Sequence, residues 1–351
     1  MTGSWLRGVA VPLLVALATA ACGSGATTAP STGAAAASVS GAATGASPHS
    51  VSLMLDWYPN GDHAGIYAAG AQGFAAAQGI KVDIQVPADP TAALKAVAAG
   101  KVDFAVSYEP EVLLAREQGI PVVAVMAMVQ EPLNSIIALP GSGITRPRDL
   151  AGKKVGTDGL QSTQDVLDTV LKADGVDPKQ VSTVDVSEDN VAALLSHKVD
   201  AIVGAYWNWE AVEIQGKDGG TYPSVMRVDR WGVPTYDELV FVTSDQLVKS
   251  DPALVQKFVA AEVAGEQYAK GDPAGAAQDL LAANKDLDPA LVSKSVQLLQ
   301  PAWQGSGPAI GTMDPTLWAK YDQWMVAQGQ LKALVPVDQA MTDQFLPKVG
   351  N

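Results

Sequence analysis

Residues 51–67 read V-S-L-M-L-D-W-Y-P-N-G-D-H-A-G-I-Y and contain the unit from which the fold can be predicted. The run Val51–Leu55 is short and apolar, which is typical of a buried strand, and Ala64–Gln78 has the composition of a helix. A polar and aromatic turn separates the two segments. Because the same order of strand, turn and helix recurs along the chain, the sequence predicts parallel sheets with helices on both faces.

The alternation forms two units and ends in a helical tail. Further strands are expected at 81–86, 104–106, 122–129, 155–156, 181–186, 201–204 and 238–243. Helices are expected at 90–99, 109–118, 162–173, 191–196, 252–270, 273–283, 289–299, 315–328 and 342–345. Proline opens four of the five helices in the tail, in agreement with its preference for the first helical turn.

Composition excludes several classes of protein. The 351 residues correspond to about two domains, and a hydrophobic content of 48 % is enough for a substantial core. The net charge of −14 argues against nucleic acid as a partner, because phosphate binding needs a basic face. Cys22 is the single cysteine, which excludes an internal disulfide, an iron–sulfur cluster and a cysteine-rich zinc site.

The amino-terminal residues predict export and a lipid anchor. Arg7 precedes the apolar run Val9–Leu17, and small residues lead directly to Cys22. This pattern resembles a bacterial lipoprotein signal, in which residues 1–21 are removed and Cys22 carries the lipid; an ordinary secretory signal is the alternative. In residues 23–50, 24 of 28 positions are Ala, Gly, Ser or Thr, so residues 22–50 are expected to form a flexible tether spanning roughly 30 Å.

Motifs for catalysis or metal binding are absent from the sequence. It contains no glycine-rich phosphate loop, no G-x-S-x-G and no H-E-x-x-H. The three histidines, His49, His63 and His197, are scattered, so we expect no metal site, no acid–base triad and no cofactor. Pairs of carboxylates such as Asp62 with Glu109 carry no mark of a catalytic pair.

Polar and aromatic residues gather at four predicted strand ends. These groups are 56–63, 107–109, 130–135 and 206–210. Ligands of such sheets bind at the carboxyl ends of the strands. Flat indole faces beside carboxylates and amides suit a flat heteroaromatic ligand that bears amino groups. Composition alone leaves open whether these tryptophans line a pocket or pack in the core.

Long ordered motifs in these groups carry a family resemblance. They are L-D-W-Y-P-N-G-D-H-A-G-I-Y (55–67), G-K-V-D-F-A-V-S-Y (100–108), V-Q-E-P-L-N-S (129–135), Y-W-N-W-E (206–210) and G-V-P-T-Y-D-E-L-V (232–240). The chain from about Ser52 to Lys348 resembles the substrate-binding proteins of ABC importers, in the branch for pyrimidine precursors of thiamine. That branch is related to the eukaryotic pyrimidine synthases.

The resemblance implies a fold and a division into lobes. The fold is the α/β type II periplasmic-binding-protein fold, with two doubly wound lobes around a ligand cleft and two crossovers between them. The first lobe is expected to comprise 51–138 plus 242–351, and the second 139–241.

The expected ligand-binding residues come from two sources. The resemblance implies Trp57, Asn60, His63, Trp207, Asn208 and Glu210. The groups at the strand ends add Ser107, Tyr108, Asn134 and Tyr206, and the resemblance supports Glu238 as a further candidate. Structural roles remain open for several of them. His63 and Ser107 could cap a helix or pack against one, and Asn134 could form hydrogen bonds with the backbone of a turn. Tyr206 could lie in the core, and Glu238 could be a charged residue on the surface. Asp158 and Gly159 are a further candidate, because backbone N–H groups at a helix start often face a ligand.

The resulting functional prediction is a lipid-anchored extracytoplasmic receptor. It would capture an aminopyrimidine, either hydroxymethylpyrimidine or formylaminomethylpyrimidine, and deliver it to an ABC permease with its ATPase subunit. Catalysis is not expected, and the receptor is expected to act as a monomer.

Two alternatives remain. One is a pyrimidine synthase-like enzyme, although the alignment places Ser107 and Glu111 where those synthases have their cofactor lysine and a histidine, and their cysteine-rich iron motif is missing. The other is a binding protein for a different small solute such as a sulfonate, taurine or nitrate. Such anion sites favour Ser, Thr and Arg, whereas the candidate loops here carry carboxylates and no Arg.

Overall fold

The computed structural model describes residues 48–88, 93–187 and 189–348. In it, the short apolar runs form two five-stranded sheets. The strands of the first sheet are β1 (His49–Met54), β2 (Ile80–Gln85), β3 (Phe104–Ser107), β4 (Val122–Val129) and β10 (Leu239–Ser244). Those of the second are β5 (Asn134–Ala138), β6 (Lys154–Thr157), β7 (Ser182–Asp185), β8 (Ala201–Tyr206) and β9 (Ser224–Arg227). The first sheet has the order β2-β1-β3-β10-β4 and the second the order β7-β6-β8-β5-β9.

Helices separate most of the strands and form the carboxyl-terminal part of the described chain. Those between the strands are α1 (Ala64–Ala71), α2 (Phe74–Ala77), α3 (Ala93–Ala98), α4 (Glu109–Glu117), α5 (Gln161–Ala173), α6 (Asn190–Leu195) and α7 (Glu210–Lys217). The tail comprises α8 (Asp245–Ser250), α9 (Pro252–Gly271), α10 (Pro273–Ala283), α11 (Pro289–Leu299), α12 (Pro315–Gln328) and α13 (Val337–Ala340). Aspartates cap α9, α10, α11 and α12 directly before their first prolines.

Each sheet forms the centre of one α/β lobe, and the chain crosses between the lobes twice. The first crossing connects β4 to β5, and the second connects β9 to β10. Long helix α9 covers the first sheet, where Phe258 stacks on Phe104 with ring centroids 3.8 Å apart and meets Phe241 edge to face at 5.4 Å. These rings are fully buried and fix the helix on the sheet.

The expectation of purely parallel sheets was wrong. Strand β10 runs antiparallel to both β3 and β4, and β5 runs antiparallel to both β8 and β9. Each of these two strands directly follows a crossing, so the chain enters each sheet against the direction of its neighbours. The prediction missed β5 and β9 altogether.

Two helices also differ from the prediction. The segment expected as one helix from Ala64 to Gln78 is interrupted at Gly73, whose φ of +79° lies in the left-handed region. The last short helix is α13, whereas the expected helix 342–345 is absent, because Met341 there pairs with Ala124 beside the first sheet.

Several predicted features lie outside the described residues. They are the signal segment 1–21, the lipidation site Cys22, nearly all of the tether 22–50 and the first residues of the helix expected at 90–99. Within the described ranges, no helix is both long and apolar enough to cross a membrane.

Candidate functional site

The loops that follow the strands converge on a chamber between the two lobes. Its volume is about 330 Å³. It is lined by residues of both lobes, namely Asp56, Trp57, Asn60, Tyr108, Asp158, Ser187, Asn190, Gly204, Tyr206, Trp209 and Glu210. The first four belong to loops after β1 and β3, and the others belong to the second lobe. This position, outside the carboxyl ends of the strands, is where α/β sheets bind their ligands.

Asp56 organises the first-lobe wall of this chamber. One carboxylate oxygen lies 2.7 Å from His63 Nε2, and the other accepts a 2.7 Å hydrogen bond from the Tyr108 hydroxyl. The backbone N–H of Asn60 donates to His63 Nδ1 at 3.2 Å, so Nε2 carries the proton that Asp56 accepts. Burial raises the pKa of Asp56, but attraction to His63 and these hydrogen bonds outweigh it and hold the pKa below its usual value. Asp56 is therefore an ionised acceptor at the chamber wall.

Glu210 provides a second carboxylate on the opposite wall. It is the first residue of α7, and its Oε2 accepts the backbone N–H of Tyr206 at 2.7 Å. Burial raises its pKa to about 7, although the hydrogen bonds from the backbone N–H groups of Tyr206 and of Glu210 itself oppose this effect. A hydrogen-bond donor on a ligand would satisfy this carboxylate and favour its ionised form.

A second chamber of about 380 Å³ adjoins the first. The two share Tyr108, Asp158, Gly204 and Tyr206 among their lining residues. Gly204 interrupts β8 with a φ of +89°, where the pairing with β5 shifts register. A Cβ placed on Gly204 would have only Thr163 Cγ2 within 4 Å, at 3.8 Å. The glycine therefore leaves open space at the boundary between the chambers.

Glu238 lines the second chamber and accepts four hydrogen bonds from the protein. It accepts the backbone N–H groups of Leu133 and Asn134 at 2.7 and 3.1 Å. The hydroxyls of Tyr206 and Tyr236 donate to it at 3.0 and 2.9 Å. These contacts join the first crossing, the second crossing and the end of β8, so Glu238 stabilises the connection between the lobes.

Asn208 makes a further contact between the lobes. Its Nδ2 donates to Asp62 Oδ1 at 2.5 Å and to Ser295 Oγ at 3.1 Å, and the side chain is fully buried. Burial raises the pKa of Asp62 to about 7, and the nearby carboxylates of Asp56 and Glu210 add to the increase, while His63 and Asn208 oppose it. The backbone N–H of Asp62 donates to Asn60 Oδ1 at 2.8 Å, which connects Asn208 to the chamber wall.

The structure brings most of the predicted site residues to one of the two chambers. These are Trp57, Asn60, Tyr108, Asn134, Tyr206, Glu210 and Glu238. The other four, His63, Ser107, Trp207 and Asn208, line neither chamber. His63 supports Asp56, Asn208 bridges the lobes, and the Ser107 hydroxyl donates to Glu111 at 2.8 Å.

Trp207 and Trp209 have different surroundings. The indole N–H of Trp207 donates to the carbonyl of Pro132 at 3.1 Å, and the Arg227 guanidinium lies 5.4 Å from its ring centroid. Trp209 instead lines the first chamber. The short motif 206–210 could not distinguish them, because the backbone between β8 and α7 is irregular and the direction of each side chain does not follow from spacing.

Several chamber residues were missed by sequence reasoning. They are Asp56, Ser187, Asn190, Gly204 and Trp209. Asp56 and Trp209 lie inside the quoted motifs, and their carboxylate and indole were signals for inclusion. Ser187 and Asn190 follow β7, where the strand-end rule would have found them. Ser187 has a φ of +48°, a conformation that no sequence pattern revealed.

The electrostatic character of both chambers is acidic. Among the described residues, those that line the chambers include Asp56, Glu111, Asp158, Glu210 and Glu238 but no Lys or Arg. Within the described ranges, no three His, Cys, Asp or Glu side chains are arranged to hold a metal ion. The cleft is therefore suited to a neutral or cationic ligand with hydrogen-bond donors, because anions would be repelled.

Comparisons with known proteins place this cleft in context. The model of the family described as NMT1/THI5 like matches residues 60–276. A formylaminopyrimidine-binding protein of Halalkalibacterium halodurans is 32 % identical over 84 % of this chain and 89 % of its own length. A 4-amino-5-hydroxymethyl-2-methylpyrimidine phosphate synthase of Legionella pneumophila is 28 % identical over 85 % of this chain and 92 % of its own. The riboflavin-binding protein RibY of Chloroflexus aurantiacus is 30 % identical over 97 % of this chain and 98 % of its own.

Solved structures confirm the fold. The periplasmic aliphatic sulphonate binding protein SsuA from Escherichia coli superposes with a TM-score of 0.67 at 14 % identity, over 87 % of this chain and 96 % of that one. The alkanesulfonate-binding protein SsuA from Xanthomonas axonopodis, bound to MOPS, gives 0.63 at 18 % identity, over 85 % and 99 %. The chain thus has the two-lobe α/β fold of periplasmic substrate-binding proteins, as predicted.

Proposed function

The chain belongs to the NMT1/THI5-like family, and we propose that it is the extracytoplasmic substrate-binding protein of an ABC importer for a thiamine-precursor aminopyrimidine. The ligand would be hydroxymethylpyrimidine or formylaminomethylpyrimidine. The observation that carries this proposal is the first chamber, where two indole side chains, Trp57 and Trp209, and two carboxylates, Asp56 and Glu210, line one space between the lobes.

Each group in the chamber has a role in this proposal. The indoles offer flat apolar faces for the pyrimidine ring. The carboxylates accept hydrogen bonds from its exocyclic amine, and the charge assistance makes these bonds stronger than neutral ones. Because the walls come from both lobes, a bound ring favours the closed arrangement, and binding shifts the population of open and closed molecules.

Delivery of the ligand requires partner proteins. The proposed receptor passes its ligand to a permease that is driven by an ATPase subunit. Lipid on Cys22 would hold the body at the outer face of the cell membrane, with residues 22–50 as the tether. Replacement of Cys22 by Ala in the full chain is expected to release the protein from the membrane fraction. Continued retention of the variant in that fraction would contradict the lipid anchor.

We propose a binding role rather than catalysis. The resemblance places Ser107 and Glu111 where the pyrimidine synthases have their cofactor lysine and a histidine. In this protein the Ser107 hydroxyl donates a hydrogen bond to the Glu111 carboxylate at 2.8 Å. Neither side chain can form an imine with an aldehyde. Appearance of an imine absorbance band after addition of pyridoxal phosphate would instead support the synthase-like alternative.

A flavin is the second candidate ligand, because a riboflavin-binding relative matches 97 % of this chain and a second chamber adjoins the first. Sulfonates are disfavoured, because no described residue that lines either chamber is Lys or Arg.

Tryptophan fluorescence separates a pyrimidine ligand from a sulfonate, because Trp57 and Trp209 line the chamber. Hydroxymethylpyrimidine is expected to change the emission saturably, whereas an alkanesulfonate is not. A saturable change with the sulfonate alone would overturn the proposal.

A further inference from the structure

The second crossing passes from one lobe to the other within a few residues. Near its start, Gly232 packs against α5 of the second lobe, where a Cβ on the glycine would lie 3.2 Å from Ala173 Cβ. Near its end, the backbone N–H of Asp237 donates to Glu109 Oε2 of α4 at 2.8 Å. Asp237 Oδ2 accepts the indole N–H of Trp318 of α12, also at 2.8 Å. These two hydrogen bonds form a hinge clamp that attaches the crossing to the first lobe.

The hinge clamp, made of Glu109, Asp237 and Trp318, holds residues that join the lobes. Tyr236 and Glu238 flank Asp237, and the Tyr236 hydroxyl donates to Glu238 at 2.9 Å. The hydroxyl of Tyr206, at the end of β8 in the second lobe, donates to the same carboxylate at 3.0 Å. A displacement of Asp237 would therefore change how the second crossing is connected with the second lobe.

The hinge clamp contains two buried carboxyl groups without a cation. Glu109 is fully buried, and its Oε1 has no hydrogen-bond partner among the described residues. Asp237 is almost fully buried. Within the described ranges, neither side chain takes part in an ion pair, and Arg116 of α4 is paired with Asp245 instead. A buried carboxylate in such surroundings is costly, which favours the protonated form.

The groups that face the hinge clamp add negative charge. They are all carboxyls or phenols, namely Asp314, Tyr321, Asp322, Asp343, Tyr236 and Glu238. Burial raises the pKa of Asp237 to about 7, and Asp343 and Asp314 add to the increase, while the hydrogen bond from Trp318 opposes it. Burial and repulsion from Asp237 also raise the pKa of Glu109 well above its usual range.

We infer that the hinge clamp is a proton-dependent switch: protonated Asp237 holds the second crossing on the first lobe, and loss of this proton releases the crossing and lets the lobes separate. The ionised carboxylate can gain solvation only by leaving Glu109 and Trp318. The three residues of the clamp line neither chamber, so the inference holds whichever ligand the cleft binds.

The direction of the effect follows from the raised pKa. The folded chain with its clamp formed binds a proton at Asp237 that a released, hydrated Asp237 would lose at a lower pH. The clamp is therefore stable in acid, and its contribution is lost as the pH rises through about 7. Closure of the lobes without ligand should weaken over the same range.

Two measurements on the full chain without added ligand test the inference between about pH 5 and pH 8. The indole N–H of Trp318 donates to Asp237, so its NMR signal in protein with isotope-labelled tryptophan reports the charge of that carboxyl. Trp318→Phe identifies the signal by its loss. Small-angle X-ray scattering gives the radius of gyration, which increases when the lobes separate.

The signal of Trp318 and the radius of gyration are expected to change together in the parent protein, in one transition near pH 7. Asp237→Asn keeps an acceptor for Trp318 but has no proton to lose in this range, so both transitions should disappear. Asp286→Asn is the matched control, because Asp286 is an exposed carboxylate, and it should retain both transitions.

Three outcomes would overturn the inference. They are a constant Trp318 signal, a changing signal with a constant radius of gyration, and an increase in radius that persists in Asp237→Asn. The last would assign the opening to another titrating group such as Asp62 or Glu210. The first two are decided by the parent protein alone, so they apply even if Asp237→Asn fails to fold. All three leave the proposed function intact, because no ligand is used.

Discussion

Asn208 of the second lobe donates its side-chain amide to Asp62 of the first lobe at 2.5 Å, and the two side chains are almost completely buried. Asp62 in turn orients Asn60 through its backbone N–H, and Asn208 lies two residues before Glu210. The contact therefore fixes two loops that line the ligand chamber, one at the carboxyl end of β1 and one at the carboxyl end of β8. It connects the closure of the lobes with the geometry of the site.

Loss of this contact is the first prediction. Asn208→Ala removes the amide that donates to Asp62. Because the buried carboxylate is then left without this donor, the free energy of unfolding is expected to fall by about 1–3 kcal/mol. Ser295→Ala removes only the weaker 3.1 Å bond and should cost less. Denaturant unfolding measures both variants; equal stability of Asn208→Ala and the parent protein would show that the contact does not hold the lobes.

The second prediction concerns pH. The pKa of Asp62 is about 7 in the folded chain, above its ordinary value of 3.8, so the folded state binds more protons than the unfolded state between these values. Stability from this group is therefore lost as pH rises through 7, by an amount on the order of 3 kcal/mol between pH 5 and pH 8. Asp62→Asn should reduce the difference in melting temperature between these two pH values.

Asp286→Asn is the control for this prediction, because Asp286 is an exposed carboxylate. It should leave the difference in melting temperature unchanged. If the melting temperature changes equally between pH 5 and pH 8 in Asp62→Asn and in the parent protein, the loss of stability does not come from Asp62.

The third prediction concerns the carboxylate on the second-lobe wall. Glu210→Gln is expected to weaken aminopyrimidine binding by about 1–3 kcal/mol, because the charge-assisted acceptor becomes neutral. Glu213→Gln, one turn along α7 and outside both chambers, is the matched control and should have no effect on calorimetric affinity. If the two variants bind alike, Glu210 does not read the ligand.

The fourth prediction separates two neighbouring tryptophans. Trp209→Ala should reduce affinity by about tenfold, because a ring face is lost from the chamber. Trp207→Phe should instead lower the melting temperature with little change in affinity, since it removes the hydrogen bond to Pro132. If Trp207→Phe reduces affinity and Trp209→Ala lowers only the melting temperature, the ring that stacks on the ligand is that of Trp207.

The fold was largely predictable where it depends on local sequence. The buried strand Val122–Val129 and the helices that begin at Pro252, Pro273, Pro289 and Pro315 agree with their predicted starts, because apolar runs and aspartate–proline caps act locally. The direction of β10 was not predictable in this way, because it depends on where the second crossing returns the chain.

The site was predictable only in part. The motifs indicated which loops surround the ligand chamber, but they could not show which side chains face it. Glu238 accepts hydrogen bonds from four protein groups, three of them from distant parts of the chain, and no local pattern reveals these contacts. The open boundary at Gly204 depends on a register shift between β5 and β8, which is a property of the assembled sheet.

Calorimetric titration of the unsubstituted protein with hydroxymethylpyrimidine and with formylaminomethylpyrimidine tests the central claim most directly. We expect saturable heat with a dissociation constant well below the millimolar range for at least one of them. Affinities no tighter than millimolar for both compounds would contradict an indole and carboxylate site for aminopyrimidines between the lobes.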